Sequence, residues 1–497
     1  MRPSFSRSLK RNLETLGGLM YLDRNDDVVT REFRAIGRDC ALLYVEGMSS
    51  GAQMAQHVMR PLLSAKETAA GREAIGVVLA QLLEATEAKT ERDPRAAVQE
   101  LMRGQCLLLV DTSDEAILID LRSYAKRSVE KPLTESVIVG PHEAFNETLR
   151  DNLTLLHKKL QTPDLICEVL SVGTKYSTQA ALCYLNGVCP QQTVDELKKR
   201  LADAALDYVL SAGILEQLLE DDPYAPLPQV VLSERPDRAV SFMLEGQAVL
   251  LLDGSPRAIA MPMSLWHLFH SPDDSYMRWQ YGTFMRVLRM AGALFALLLP
   301  GVFVSLVTYH PMSLPMTLLT SIMQSRSIVP ISLFGEALLM LSIFNLINES
   351  GTRVPNQMGQ SLGLVSAIIL GTAAVDAGLV SPLLIIVVAL SGLGGYALPN
   401  YSLSFAFRMG QLLLLVAGGL CGMTGVCLAS LWLLVRVAGM ESLGQPYLAP
   451  VSPQRSHNPD LVIRAPTFRQ RLRAYLANPA QNLRAFGRMR RWRGFLF

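Results

Sequence analysis

The sequence predicts an α/β cytoplasmic region of two related subdomains, followed by an α-helical polytopic transmembrane domain. Three features predict this fold class: a long apolar stretch, an internal repeat before it, and a basic tail after it. Charged residues make up 18% of the 497-residue chain, but residues 290–435 contain only six of them. A soluble domain of that size needs many more charges to cover its surface, so we expect lipid to solvate this stretch.

The first half of the chain contains an internal repeat. The segment ALLYVEG at residues 41–47 recurs as ALCYLNG at 181–187, and GQCLLLVDTSDEAILI at 104–119 recurs as GQAVLLLDGSPRAIAM at 246–261. The first pair is typical of a strand that ends at a glycine before an amphipathic helix, and the second of a β-hairpin. Two matches at nearly one offset predict two related subdomains; the alternative is chance similarity between apolar strands.

These features set the predicted domain boundaries. A polar linker with a Gly-Pro turn and an amphipathic helix separates the two copies. The predicted units are a first α/β subdomain at 1–135, the linker helix and second subdomain at 136–270, a transmembrane domain of five to six segments at 271–440, and a basic tail at 441–497.

Five apolar segments are long enough to cross a bilayer core of about 30 Å at about 1.5 Å per residue. They occupy residues 290–309, 328–348, 354–375, 377–407 and 409–435. Five crossings would place the two ends of the chain on opposite sides of the membrane. Residues 310–325 are therefore predicted to be a short sixth span or a re-entrant hairpin, which would be a candidate pore element.

Both ends of the chain are predicted to be cytoplasmic. The start is basic but has no apolar core, so it does not resemble a secretory signal. After Val451 the chain carries ten arginines and one acidic residue, Asp460, and the positive-inside rule places such a tail in the cytoplasm. A nucleic-acid-binding tail is the less favoured interpretation because this tail directly follows a membrane helix, so we expect no nucleic-acid partner.

The sequence has no motif that predicts catalysis, a metal site or a cofactor. It lacks GxSxG, a Walker loop and HExxH, and its seven cysteines show no metal-ligand spacing. The GLGG run at 392–395 lies in an apolar span, where close helix packing explains it better than a phosphate loop. We therefore expect a protein that is not an enzyme and holds no metal or cofactor.

The polar residues within the apolar stretch are the candidate functional residues: Glu336, Asn345, Asp376 and Arg326. An isolated charge there costs about 3 kcal/mol or more, so each should face protein, water or another charge. Glu336 lies deepest in its span and is the best candidate for lining a pathway, whereas Asp376 suits a loop or a pore. The alternatives are an interhelical hydrogen bond or a helix end at the interface. These residues alone indicate a transporter, a channel or a receptor subunit.

Nine stretches then suggest a family. In order, they are ESVIVGPHEAFNETLRDNLTLL, SERPDR, LLDGSPRAIAMP, HSPDDSYMRW, LLLPGVFVSLVTYHP, GTRVPNQMGQ, AAVDAGLVSP, LPNYSLSFAFR and GQPYLAPVSP. From about residue 16 to residue 466 they resemble signature stretches of the A subunit of GerA-type spore germinant receptors. Each stretch is weak by itself, but the ordered set is specific.

The resemblance implies a multi-pass protein of the spore inner membrane. Such A subunits resemble ligand-gated channels for monovalent cations that form homo-oligomers, with a pentamer as the candidate stoichiometry. They assemble with a transporter-like B subunit and a lipoprotein C subunit, and nutrient binding is thought to start germination. The signature residues that the resemblance assigns to assembly or gating are Gly140, Pro141, Glu143, Phe145, Arg150, Asn152, Arg235, Pro236 and Asp237.

The chain departs from the family pattern at several positions. His142 and Ala144 replace the usual arginine and glycine of the Gly-Pro turn, and Leu341 and Asn345 stand where acidic residues are expected. Thr372 and Asp376 replace the common glutamine and glutamate of the next span. These changes keep an accessory paralogue, similar to the AF protein of the SpoVA operon, as the main rival. A secondary transporter and a membrane-tethered scaffold are the alternatives of other classes.

Overall fold

The first subdomain is a five-stranded antiparallel sheet with helices on both faces. The computed structural model describes residues 4–65, 78, 83, 87–123, 132, 135, 137–353, 371–454, 460–473 and 477–484. The strand order is β1-β2-β4-β5-β3, with β1 Val28–Ala35, β2 Arg38–Val45, β3 Ala88–Glu91, β4 Cys106–Val110 and β5 Ala116–Ile119. The helices are α1 Leu9–Met20, α2 Gly51–Met54, α3 Arg60–Ser64 and α4 Pro94–Leu101, and the π-helical turn Ala55–Met59 joins α2 to α3.

Strand β4 and residues 40–45 of β2 form continuous apolar runs because both faces of the sheet are covered. Leu43 and Leu107 belong to the core under α1 and α4. Leu42 and Leu108 belong to the core on the opposite face. Strands buried on both faces lose the polar alternation of a half-exposed strand, which is why the repeated segments read as continuous apolar runs.

The second subdomain repeats the same topology, as the internal repeat predicts. Its strand order is β6-β7-β9-β10-β8, with β6 Leu165–Val172, β7 Thr178–Leu185, β8 Val231–Ser233, β9 Ala248–Leu252 and β10 Ala258–Met261. Its helices are α5 Leu149–Lys159, α6 Gln191–Asp203, α7 Ala212–Leu219 and α8 Pro236–Leu244.

The repeat also includes the entry to the first helix of each copy. The side chain of Asn12 accepts a hydrogen bond from Ser6 N (2.7 Å) and donates one to Ser6 O (2.6 Å). Asn152 does the same with Asn146 N (2.8 Å) and Asn146 O (2.7 Å). The signature asparagine of the linker therefore has a counterpart near the amino terminus, so the duplicated unit begins before each helix.

Apolar helices follow two short helices, α9 Leu265–Phe269 and α10 Pro272–Tyr276. They are α11 Trp279–Tyr309, α12 Met316–Arg326, α13 Leu333–Arg353, α14 Pro382–Tyr396 and α15 Tyr401–Ala438. Among the described residues, α11 and α15 are the two helices that are long and apolar enough to cross a membrane. The predicted span at 354–375 lies largely outside the described residues.

The long helix α15 folds back on itself at Gly422. This glycine has φ 64° and ψ −151°, which interrupts the helix. A Cβ on Gly418 would lie 2.9 Å from Val426 Cγ2, and one on Gly425 would overlap the carbonyl oxygen of Ala417. Residues eight apart in a straight helix are separated by about 12 Å. Residues 401–421 and 423–438 are therefore two antiparallel arms, and the expected single span at 409–435 is wrong.

Two other predicted spans also need correction. The segment 377–407 is broken between α14 and α15, where Asn400 Oδ1 accepts a hydrogen bond from Leu403 N (3.0 Å) and starts the next helix.

Within 310–325, helix α12 has 11 residues and a length of about 16 Å. Tyr309 before it and Phe334 after it both contact Gly419, close to the tip of the α15 hairpin. A crossing by residues 310–325 is excluded because that segment starts and ends at the same end of the bundle.

The apolar helices α11 to α15 form a bundle. The chain contacts the second subdomain both where it enters this bundle and where it leaves it. One core with the second sheet includes Ala293 in the first half of α11, Leu403 at the start of α15 and Met440 after its end. Ser442 Oγ then donates to Gln229 O (2.8 Å), and Tyr447 Oη donates to Pro228 O (2.6 Å). The chain therefore enters and leaves the bundle at the same end.

Candidate functional site at the root of the first apolar helix

Three signature stretches that are far apart in sequence meet around Arg235. This arginine is fully buried. Its Nη1 donates to Glu135 O (3.2 Å), and its Nη2 donates to Pro141 O (2.8 Å) and to Asp237 Oδ2 (2.9 Å). These three hydrogen bonds offset the cost of burying the guanidinium, although its Nε has no partner among the described residues. They fix the linker onto the start of α8.

The first turn of helix α8 positions the side chains of Arg235 and Asp237. Pro236 occupies the first helical turn, where its missing N–H leaves no donor unsatisfied, and Asp237 is the acidic residue of that turn. The hydroxyl of Tyr276 donates to Asp237 Oδ2. Asp237 therefore connects α8 to the segment just before α11.

Glu135 and Gly140 fix the linker from its other side. Ser233 Oγ donates to Glu135 Oε2 (2.6 Å), and Arg238 forms an ion pair with Glu135 Oε1. Gly140 has φ 140°, and a Cβ there would lie 2.8 Å from Tyr276 Cδ2. Because any side chain would collide with that ring, the Gly-Pro turn can approach the root of α11 only with glycine at 140.

A buried charge cluster anchors α11 itself. Asp274 is fully buried and accepts hydrogen bonds from Arg286 Nε (3.1 Å) and Arg289 Nη1 (2.7 Å), one turn apart on α11. Arg286 Nη1 also pairs with Asp460 (2.6 Å). Burial by itself raises the pKa of Asp274, but the two arginines outweigh it and hold the pKa below its usual value.

The basic tail returns to this root. Arg464 donates to the backbone oxygens of Asp274, Met277 (3.1 Å) and Ser275 (3.1 Å). His270 lies 2.7 Å from Leu461 O through Nε2. Burial first, and then the charge of Arg286, lower the pKa of His270 to about 4, so it is neutral at pH 7. The described part of the tail is thus docked on the protein.

These groups surround a small charged cavity of about 80 Å³. Its lining residues include Asp237, Arg238, His270, Arg286 and Asp460. The second subdomain, the α10 segment, the first apolar helix and the tail each contribute. We name this arrangement the root junction, defined by residues 135–141, 233–238, 270–289 and 460–464.

The remaining signature residues lie in α5 and in the segment just before it. Phe145 is buried and its N–H donates to Glu234 O (2.8 Å). Glu143 pairs with Lys158 and Lys159 at 2.6 Å each; burial raises its pKa, but the two lysines outweigh this and lower it. Arg150 instead faces the first subdomain, where Nη1 lies 2.8 Å from Glu46.

Of the polar residues in the apolar stretch, the structure brings Arg326 and Glu336 together. Arg326 Nε lies 3.2 Å from Glu336 Oε1, and Ser381 donates to Oε2 through its N–H and its hydroxyl (3.0 Å each). Glu336 is fully buried and accepts these bonds at the start of α14. Its carboxylate therefore joins α12, α13 and α14 at one end of the bundle.

Asn345 and Asp376 lie apart from that pair. Asn345 is half-buried and lines a narrow cleft with Ser391, Arg408 and Gln411. Asp376 is exposed and ends the helical residues 371–376, which agrees with the loop interpretation. The assignment of any of these residues to an ion pathway stays a prediction.

Two features were missed at the level of sequence. The pairing of Arg286 and Arg289 with Asp274 was not predicted, although the i, i+3 spacing places both arginines on one face of a helix, where a single carboxylate can pair with them. The buried contact of His157 Nε2 with Asp27 Oδ2 (3.1 Å) joins the two subdomains, and no short motif contains both residues.

A duplicated α/β region anchored on apolar helices by a buried charge cluster defines a class of protein that couples a water-exposed unit to a hydrophobic one. The chain belongs to the Bacillus/Clostridium GerA spore germination protein family, whose model matches residues 19–475. The match includes the duplicated subdomains, the root junction and the apolar helices.

Relatives match along most of their length. Spore germination protein B1 of Bacillus subtilis (strain 168) is 34% identical, over 96% of this chain and 98% of its own. Spore germination protein GerLA of Bacillus cereus is 33% identical, over 86% and 87%. The crystal structure of the N-terminal domain of the A subunit of the Bacillus megaterium spore germinant receptor GerK3 is 24% identical with a TM-score of 0.43, over 53% of this chain and 97% of that one.

Proposed function

We propose that this chain is the A subunit of a nutrient germinant receptor in the spore inner membrane, and that it forms an oligomeric, ligand-gated cation channel that triggers germination. The observation that carries the proposal is the convergence of three family signature stretches on the root junction. The residues that distinguish the family are thus the ones that connect its soluble region to its apolar helices.

The root junction suggests how a movement of the α/β region would be transmitted to the apolar helices. Arg235 and Asp237 connect α8 to the linker and to Tyr276, while Asp274 holds α11 through two arginines. A rotation of the second subdomain would therefore pull directly on the start of α11. No catalytic step is involved.

Close packing would pass that movement along the bundle. A Cβ on Gly301 of α11 would lie 2.8 Å from Leu414 O, and one on Gly418 would lie 2.6 Å from Gly301 O. Small residues let helix backbones approach closely, so these two helices are packed backbone against backbone. We infer that α11 and the first arm of α15 move together when the channel opens.

The proposed multi-pass topology has both the amino-terminal region and the tail in the cytoplasm. Its support is that α11 starts, and the chain after α15 ends, against the same subdomain. Five crossings would place the two ends of the chain on opposite sides of the membrane. The hairpin at Gly422 supplies a sixth crossing, so residues 310–325 need not cross. The proposed B and C subunits, and a homo-oligomer such as a pentamer, come from the resemblance to germinant receptors.

The departures from the family pattern support one rival, the accessory paralogue similar to the AF protein of the SpoVA operon. Leu341 is buried in the apolar core of the bundle, where an acidic residue could not be accommodated without a partner. Adjacent reading frames for B and C subunits would favour the receptor, and a SpoVA-like neighbourhood would favour the paralogue.

Asn345 offers the sharper test of the ion pathway because, unlike Glu336, it joins no ion pair in the described part of the chain. Asn345→Glu restores the acidic residue that the family carries and should speed nutrient-triggered potassium release from spores severalfold if this cleft lines the pathway. Asn345→Leu should slow it. The measurement is potassium in the medium after nutrient addition, with the exposed Asp203→Asn as a matched control and equal protein in the membrane. Unchanged release in both variants would contradict the assignment.

A further inference from the structure

Three buried side chains with metal-binding chemistry meet where the two subdomains touch. Asp27, His157 and Cys167 are each 1% exposed or less. One donor atom from each lies within 4.8 Å of the others. Asp27 comes from the first subdomain, and His157 and Cys167 come from α5 and β6 of the second.

Main-chain contacts hold these donors in place. The segment before β1 runs along strand β6, where Asp26 N donates to Cys167 O (3.1 Å) and Val169 N donates to Asp26 Oδ2 (2.8 Å). Asn25 Nδ2 donates to Leu165 O (3.2 Å). The positions of Asp27 and Cys167 are therefore fixed relative to each other before any ion binds.

A fourth donor faces Cys167 across the sheet. Cys183 is its direct partner in the β6–β7 register, and both cysteines are fully buried in the same core. Donors bound to zinc at about 2.0–2.3 Å lie roughly 3.3–3.8 Å from one another. The observed group, whose three donor atoms lie within 4.8 Å of one another, would have to contract by about 1 Å to reach that size.

We propose that Asp27, His157 and Cys167 hold a structural zinc ion that joins the two subdomains. Cys183 completes the tetrahedral set. Carboxylate, imidazole and thiolate are the donors of zinc sites, and the sulfur ligands disfavour magnesium and calcium. No water-filled position is left at the ion, so the site is structural and not catalytic.

The charges balance around such an ion. One carboxylate, two thiolates and a neutral imidazole give a net charge of −1 with Zn²⁺, and the guanidinium of Arg150 lies 3.6 Å from Asp27 Oδ1. Binding releases the two thiol protons and any proton on the imidazole to solvent. Without an ion, His157 Nδ1 has no hydrogen-bond partner among the described residues.

The test is the zinc content of the full-length chain, purified in detergent without chelators. We expect about one zinc per chain, and about one in Cys189→Ser, which removes another buried thiol of the same subdomain. Cys167→Ser and His157→Gln should weaken zinc binding at least about tenfold. His157→Cys, which supplies a new zinc ligand, should restore much of it.

Cobalt keeps the proposal testable if a variant folds poorly. Added to the zinc-free wild-type chain, Co²⁺ should produce a thiolate charge-transfer band and the intense visible bands of a tetrahedral site, and zinc should abolish both. A wild-type chain that carries no zinc and gives no cobalt–thiolate band would overturn the proposal. So would zinc content that is the same in Cys167→Ser as in Cys189→Ser.

Discussion

At the scale of single residues, buried charges are placed where elements meet, and each is matched by its partners. Asp274 pairs with two arginines at the root of α11, and Glu336 pairs with Arg326 at the other end of the bundle. Removing one partner of a buried pair leaves the other charge uncompensated, which costs about 3–5 kcal/mol. These residues therefore fix the ends of the apolar helices.

Asp274→Asn should lower the free energy of unfolding at pH 7 by about 3–5 kcal/mol. Since the native pKa of Asp274 is lowered, its stabilising contribution is present above the unfolded pKa of about 3.9 and is lost as the pH falls through the native value. Thermal unfolding in detergent should thus show a wild-type advantage at pH 7 that shrinks below about pH 4.

The matched control for Asp274 is Asp203→Asn, an exposed carboxylate at the end of α6, which should change stability by less than about 0.5 kcal/mol. Equal effects of the two substitutions at pH 7 would contradict the anchoring role of Asp274.

At the scale of elements, the density of charged residues indicates whether a segment faces water or lipid. It does not indicate where the chain turns. The strands of both sheets could be predicted because their apolar runs recur with matching turns. The break at residues 397–400 has a local signal, Pro399 followed by the N-cap residue Asn400, which the count of charged residues ignored. The break at Gly422 could not be predicted, because glycine also occurs within membrane helices and no charge marks the turn. The meeting of residues 135–141 with 233–238 depends on topology, which no local pattern contains.

The hairpin of α15 predicts a specific cross-link. A Cβ on Gly410 would lie 3.8 Å from Leu433 Cδ1, whereas a straight helix would separate these positions by about 34 Å. In a chain that also carries Cys421→Ser and Cys427→Ser, the pair Gly410→Cys and Leu433→Cys should form a disulfide with a mild oxidant. Both cysteines lie on the tryptic fragment 409–436. Mass spectrometry should show that this fragment has lost two hydrogens and no longer reacts with an alkylating reagent.

Each single cysteine, Gly410→Cys or Leu433→Cys alone, serves as the control and should give no intramolecular product. Failure of the pair to cross-link in a folded chain would mean that α15 is straight.

At the scale of the whole molecule, the second subdomain contacts both the start and the end of the apolar bundle. Leu265 N donates to Tyr447 O (3.0 Å), and Met263 N donates to Ser442 Oγ (3.0 Å), so the chain after α15 is bound beside the segment that leads into α11. The first subdomain touches the second through Arg150 and His157. In the proposed receptor, a ligand signal from the first subdomain would therefore reach the apolar helices through the second subdomain.

The most direct measurement is nutrient-triggered potassium release from spores of a host strain from which the other A-subunit genes have been removed. Spores with this chain should release potassium in response to at least one nutrient. Deleting its gene should abolish that release, and the wild-type gene should restore it. Release at an unchanged rate after deletion, for every nutrient that triggers the parent spores, would contradict a role as the receptor's A subunit.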